Sequence, residues 1–376
     1  MDKDWYRIEN IDEIDSPALA IYPGRVRENI RIMKTFVTDV GRLRPHVKTN
    51  KSPETTRLLL QAGIYKFKCA TIAEAEMLAM EKAPDILLAY QPVGPKILRL
   101  AELVSRFPIS KFACLIDNIE SARNISSVFE KKGTKIDVFI DLNIGMNRTG
   151  IVPTDALSLF DHCQNLNGIT ITGLHAYDGH LRDPDLKVRT QGCDECFAKV
   201  EALKNEIFKL RGINLIIVTG GTTTFSIHSK RKNIECSPGT IIYWDKGYQS
   251  MFSELPFMWA AVLITRIISK PDEETICVDL GHKSVAAENP LNNRVYFLNG
   301  PDLQPIGQSE EHLILKAGKN NSFKIGDILY GVPYHICPTV ALYDETIVVD
   351  DHQSTGRWTT TDGTKSVFIS TFKMLW

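Results

Sequence analysis

A lysine, an arginine and two glycine-rich turns stand where apolar runs of this chain end, and each offers chemistry at such a place. Lys48 closes RLRPHVK. Burial and neighbouring cations keep a strand-end lysine as the neutral amine that Schiff-base formation requires; a salt-bridged lysine is the plain alternative. Arg148 lies in the turn GMNRTG after KIDVFIDL, where its permanently charged fork suits a phenolate or a carboxylate. In VTGGTTTF, Gly220 and Gly221 let backbone N–H groups approach an anion while Thr222 to Thr224 open a helix. That makes either a phosphate cradle or an ordinary turn. Ser237, Gly239 and Thr240 in SPGT again put glycine where backbone can meet a ligand. His335 and Cys337, in HICPTV, stand two apart. On a strand they would share a face and could ligate one ion, or they could simply pack.

Only a fold that gathers strand ends can bring these residues together. β-rich runs begin at Arg42, Tyr65, Asp85, Lys111, Lys135, Ile171, Asn214 and Glu235. They alternate with amphipathic stretches such as SPETTRLLLQAG and NIESARNISSVFEKKG, which start at polar caps and end near glycine. Eight strands with helices between them predict an α/β fold, a closed parallel (β/α)₈ barrel whose active site lies at the carboxyl ends of the strands. An open doubly wound sheet is the alternative, but it would carry fewer strands and a Gly-rich first turn. After Tyr243 short strands follow one another without a convincing helix, which predicts a C-terminal all-β domain. The expected division is a barrel over 15–244 and a β-domain over 245–376 with 1–14; the opening residues before ALAIY could join either.

The 376 residues carry a formal net charge of -1, so no global field points to nucleic acid or membrane partners. The start MDKDWYRIEN lacks the order of a secretory signal, and no apolar run reaches the length of a membrane span. The eight scattered cysteines fit a reducing cytoplasm. The one CxxC, Cys193 to Cys196, falls in a helical pattern and reads as two plain thiols.

RPHVKTNK with SPE after it, GMNRTG, LHAYDGH, GGTTTF, CSPGTIIYWDKGY and HICPTV follow in order over nearly the whole chain. In this they resemble the alanine-racemase-type (fold-type III) enzymes of pyridoxal 5′-phosphate (PLP), and more narrowly their D-threonine aldolase and D-serine dehydratase branch. The resemblance implies that Lys48 binds PLP and that Arg148 approaches its phenolic oxygen. It implies that Gly220, Gly221, Thr222, Gly239 and Thr240 hold the phosphate, and that Tyr177 lines the pocket beside His175. Ser237 stands where alanine racemases place an arginine facing the pyridine nitrogen, a change that suits lyase chemistry. A divalent ion on His335 and Cys337 is implied too. Dehydratase-like members offer His and Cys there, aldolase-like members His and Asp. Thiolate with imidazole suits zinc, with manganese or magnesium as alternatives.

The expected activity is therefore lysis of a D-3-hydroxy amino acid by β-elimination. Retro-aldol cleavage, racemisation and a non-catalytic PLP-binding protein are the alternatives. A homodimer is implied by the resemblance alone. His46 reads as a core or supporting histidine. His180 and Asp178 could reach substrate or cap a loop, Asp141 and Asn143 are open between structure and function, and His282 with Lys283 marks a β-domain turn. The aromatic segment YWDKGYQSMF reads as packing at the domain seam.

Overall fold

The computed structural model describes residues 4–361. They fall into two compact units, residues 33–48 with 56–239 and 361, and residues 4–32, 49–55 and 240–360. Strand β1 (Ala18–Ile21) belongs to the latter. The barrel unit holds β2 (Lys66–Cys69), β3 (Asp85–Leu88), β4 (Lys111–Ile116), β5 (Ile136–Leu142), β6 (Ile169–Ala176), β7 (Ile216–Thr219) and β8 (Glu235–Cys236). These seven pair in parallel in chain order.

Residues 43–47 close the gap between β8 and β2. Leu43 bridges Cys236 and His46 bridges Lys68. The N–H groups of Arg44 and Val47 donate to the carbonyls of Cys236 and Lys68, both at 2.9 Å. Pro45 has no N–H to give, which reduces this eighth stave to isolated bridges. The expected eight-stave parallel barrel is thus present, with its first stave threaded through a proline.

The helices between staves are capped as their sequences suggest: Thr71 accepts from the N–H of Glu74, and Asn118 from that of Ser121. Inside the barrel Leu87, Ala113, Leu115, Phe139 and Val218 pack together. Gly173 makes room for the Phe139 ring, since a Cβ there would lie 2.5 Å from it. Arg44, 2% exposed, joins strand beginnings: it binds Glu235 at 2.6 Å and Asp85 at 2.7 Å, while Lys66 binds Glu235 at 2.5 Å.

The other unit is built on β1 with β9 (Ala261–Ser269), β10 (Thr275–Val278), β11 (Val295–Phe297), β12 (Gln304–Gln308), β13 (Leu313–Lys316), β14 (Ile328–Pro333), β15 (Glu345–Asp350) and β16 (Gln353–Thr359). The sheet order is β12-β13-β10-β9-β1-β15-β16, with β14 on β9 and β11 on β14. β1 runs antiparallel to β9 and parallel to β15, all four of its residues buried. A strand so flanked belongs to the sheet, so the segment from residue 15 goes with this unit and not with the barrel.

Two further expectations change. Lys246–Met251 is a helix capped by Asp245, within the region expected to lack helices. HICPTV is not a strand: Ile336–Val340 is a short helix with His335 as its N-cap. Pro338 decides this, because proline is welcome in the first turn of a helix and breaks a strand ladder. The outermost parts of the expected β-domain, 1–3 and 362–376, lie outside the described residues. No helix among the described residues is long and apolar enough to cross a membrane.

Candidate active site

Lys48 leaves the closing stave half-buried, its N–H 3.3 Å from His46 Nδ1. Tyr177 follows β6 directly, and two cations face its ring: Arg148 Cζ lies 5.1 Å and Lys68 Nζ 5.7 Å from the centroid. Beneath it His175, 4% exposed, has Nδ1 2.7 Å from Asp141 Oδ1 and Nε2 3.5 Å from Lys68 Nζ. Burial pushes the His175 imidazole down, against the pull of Asp141. The neutral ring therefore donates Nδ1–H to Asp141 and turns the lone pair of Nε2 towards Lys68. Burial pushes Asp141 up, but hydrogen bonds from His175, Thr149 and Gln91 hold its carboxyl below the usual range.

Arg148 is presented by a turn that Asn143 shapes. Its Oδ1 accepts from the N–H groups of Gly145 and Asn147, each at 3.1 Å, and Asn147 sits at φ 53. Asn143 is thus a turn former, while Asp141 anchors a pocket histidine. His180 packs on the same turn, since a Cβ on Gly145 would meet its ring at 2.7 Å.

Past β7, Gly220 sits at φ 75, and a Cβ on it would fall 2.7 Å from the His228 ring. A Cβ on Gly221 would fall 2.9 Å from the Tyr177 ring. Gly239 donates its N–H to Thr222 Oγ1 at 3.2 Å. Thr223 Oγ1, Ser226 Oγ and Ser237 Oγ are buried without a hydrogen-bond partner among the described residues. Buried hydroxyls left open around glycines that admit no side chain fit a phosphate group.

The cradle is braced from behind. Asp178 Oδ2 and His228 Nε2 are 2.8 Å apart, Thr224 Oγ1 donates to Asp178 Oδ1 at 2.8 Å, and Gly221 N–H points at Thr224 Oγ1 at 3.4 Å. Cys193 Sγ completes the cluster, 3.2 Å from His228 Nε2. Asp178, Cys193 and His228 have metal-ligand types. Burial and the Asp178 charge push the Cys193 thiol up, however, so it stays protonated, and both Asp178 oxygens are already engaged. The cluster is a hydrogen-bonded brace. It gives Asp178 a structural task and takes Cys193 out of any redox pairing with Cys196, whose Sγ lies 3.1 Å from the Ile144 carbonyl.

In the sheet unit His335 is the N-cap of the short helix Ile336–Val340 and Cys337 lies in its first turn. His335 Nδ1 lies 2.5 Å from Glu288 Oε1. Cys337 Sγ is 3.1 Å from Thr49 Oγ1 and 3.5 Å from Thr240 Oγ1. Burial opposes charge on His335, yet Cys337 and Glu288 together push its pKa up to about 9. Imidazole and sulfur two residues apart at one helix start, with a carboxylate orienting the ring, fit a divalent ion of soft preference. Both residues stand at a helix N-terminus, so the shared strand face expected for them is replaced by the first turn of a helix. Thr240, assigned to the phosphate by resemblance, has its contact with Cys337 in this unit.

Residues 21–246 match the model of the alanine racemase N-terminal domain. The chain belongs to that family. Residues 260–349 match the serine dehydratase domain model. A D-threonine aldolase of an Arthrobacter species is 27% identical over 349 residues, covering 90% of each chain. A D-threo-3-hydroxyaspartate dehydratase of a Delftia species is 24% identical over 359 residues, 88% of this chain and 93% of that one. Among solved structures, the D-threonine aldolase of Filomicrobium marinum superposes with a TM-score of 0.84 at 26% identity, over 93% of this chain and 96% of that one. The alanine-racemase-like fold is shared along nearly the whole of each.

Sequence reasoning passed over Lys68, His228 and Glu288. Lys68 carried a usable signal, a lysine in the middle of the apolar strand KFKC. His228 and Glu288 carried none, because their partners lie 50 and 47 residues away along the chain.

Proposed function

We propose that this protein is a PLP- and metal-dependent lyase of D-3-hydroxy amino acids working by β-elimination, which yields a 2-oxo acid and ammonia. Bound PLP supplies the electron sink that lets a bond at the substrate α-carbon break. A divalent ion, zinc by its donors, supplies a Lewis acid for the β-hydroxyl. Lys48 would hold the cofactor through Nζ, and its free amine would take the α-proton at that atom. Arg148 and Tyr177 orient the ring, with His175 behind Tyr177. Gly220, Gly221, Thr222, Gly239 and Thr240 receive the phosphate, Ser237 stands at the ring nitrogen, and His335 and Cys337 hold the ion.

The observation that carries elimination over other outcomes is the pairing of His335 and Cys337 at one helix start, with Glu288 on the imidazole. Solved structures of a D-threo-3-hydroxyaspartate dehydratase include histidine-to-alanine and cysteine-to-alanine variants two positions apart, the latter metal-free. That spacing is the spacing of the pair here. Retro-aldol cleavage is the second reading, favoured by the aldolase relative that spans 90% of the chain.

Product analysis separates them. Protein loaded with PLP and zinc is incubated with D-threonine, with and without a chelator. Chelator-sensitive 2-oxobutanoate is expected. Glycine with acetaldehyde means retro-aldol cleavage, an epimer without cleavage means a racemase, and no reaction with PLP bound means a non-catalytic carrier.

A further inference from the structure

We propose that Lys68 is a proton-relay residue of this site, a buried amine that takes the proton from Lys48 and so resets it, with His175 and Asp141 as its support. The proposal rests on the reading that Lys48 holds PLP and moves the α-proton.

Lys68 lies inside the barrel wall. Its register partner on β3 is Leu87, a member of the cluster that fills the barrel, and only 2% of Lys68 is exposed. On its other side it bridges His46. Lys48 is two residues beyond His46, in the turn that follows the stave, and its charge acts on Lys68. The bridge from His46 to Lys68 thus brings the turn that carries Lys48 beside the strand that carries Lys68.

Among the described residues no carboxylate lies within ion-pair distance of Lys68. Its hydrogen-bond partner is His175 Nε2 at 3.5 Å, and the face of Tyr177 is 5.7 Å away. An amine so placed is costly to keep charged, and a lysine in mid-strand has no packing merit over leucine. The charged groups facing it are Lys48 and Arg44 from the closing stave, Asp141 from β5 and Asp178 from beyond β6. Burial first, then the Lys48 charge, pushes the Lys68 ammonium down to about 7. Near neutral pH such a nitrogen can both take and return a proton.

The transfer balances simply. The α-proton goes from carbon to Lys48 Nζ, leaving its electron pair in the substrate. The resulting Lys48 ammonium passes one proton to the lone pair of Lys68 Nζ, and Lys48 is left neutral, able to bond the cofactor again. Lys68, now charged, donates to His175 Nε2 and faces the Tyr177 ring, with the Asp141 charge behind His175. Above pH 7 it returns the proton to water between turnovers. Below pH 7 it is already charged and cannot accept.

The holoenzyme is compared with Lys68→Met, which matches the side chain's length without its amine, and with Lys68→Arg, which cannot deprotonate. Borohydride reduction and peptide mapping locate the cofactor in each. The wild type is expected to lose kcat below an inflection near pH 7. Lys68→Met should keep cofactor on Lys48, lose kcat about a hundredfold, lack the inflection and recover activity with added methylamine. Lys68→Arg should stay low at all pH values.

A readout independent of turnover comes from unfolding the apoprotein at several pH values. Unfolded chain binds a proton on this lysine up to its ordinary 10.5, folded chain only up to about 7. The wild type therefore gains stability as pH rises from 7 towards 10.5, and Lys68→Met lacks that share of the gain. A Lys68→Met enzyme with cofactor on Lys48, near-normal kcat and the same inflection overturns the relay alone. Wild-type protein that takes up no cofactor on Lys48 overturns the functional reading, and the relay with it.

Discussion

Each residue at the barrel mouth has been given its task by its neighbours. His175 is a neutral acceptor because Asp141 holds its Nδ1–H, and Asp141 stays charged in burial because Gln91 and Thr149 also donate to it. Lys48 and the His335–Cys337 pair are open to separate tests at this scale. Lys48→Ala is expected to abolish the visible absorbance of the lysine-bound cofactor, and persistence of that absorbance would remove Lys48 from the centre of the site. His335→Ala and Cys337→Ala should retain the absorbance and lose lyase turnover by a hundredfold or more. Unchanged turnover with full PLP would retire the metal site. Of these residues Lys48, Arg148 and Tyr177 stood out in the sequence because each sits in a recognisable strand-end motif. Glu288 did not, since a glutamate in AAENP is indistinguishable from a solvated one until its partner is known.

At the scale of elements, the closing stave is the weak point of the barrel. Pro45 limits its ladder to isolated bridges, and what compensates is the Arg44 cluster that ties it to Glu235 of β8 and Asp85 of β3. Arg44 and the Glu235 side chain are nearly inaccessible to water, 2% and 7% exposed, so removing one partner strands the other. Arg44→Met is expected to destabilise the protein by about 3 kcal/mol in chemical denaturation. A change within 0.5 kcal/mol, on the order of an exposed surface substitution, would show that the stave is held by its backbone alone. Because Lys48 ends this stave, the same variant should also weaken PLP binding. The alternation of strand and helix that builds the barrel was plain in the sequence. The helical turn at Ile336–Val340 was not, because HICPTV has the apolar texture of a strand and only Pro338 argues otherwise.

For the whole molecule, two compact units drawn from interleaved segments make up the chain, with β1 and residues 49–55 contributed to the sheet unit from within the N-terminal half. A homodimer is proposed from the family resemblance, and sedimentation equilibrium of the holoenzyme is expected to give twice the chain mass; a single-chain mass would contradict it. The sequence by itself determined the barrel, the all-β texture of the C-terminal part and the cluster of strand-end motifs, because periodicity and turn residues are local properties. Only the tertiary structure decided that ALAIY enters the sheet, since four apolar residues suit the edge of a barrel or the middle of a sheet equally well until their hydrogen-bond partners are known. It alone decided that Asp178, His228 and Cys193 form a brace behind the cradle and that Lys68 points inward beside His175. Those assignments depend on which buried polar groups find each other across tens of residues, and burial is what turns such a meeting into a constraint.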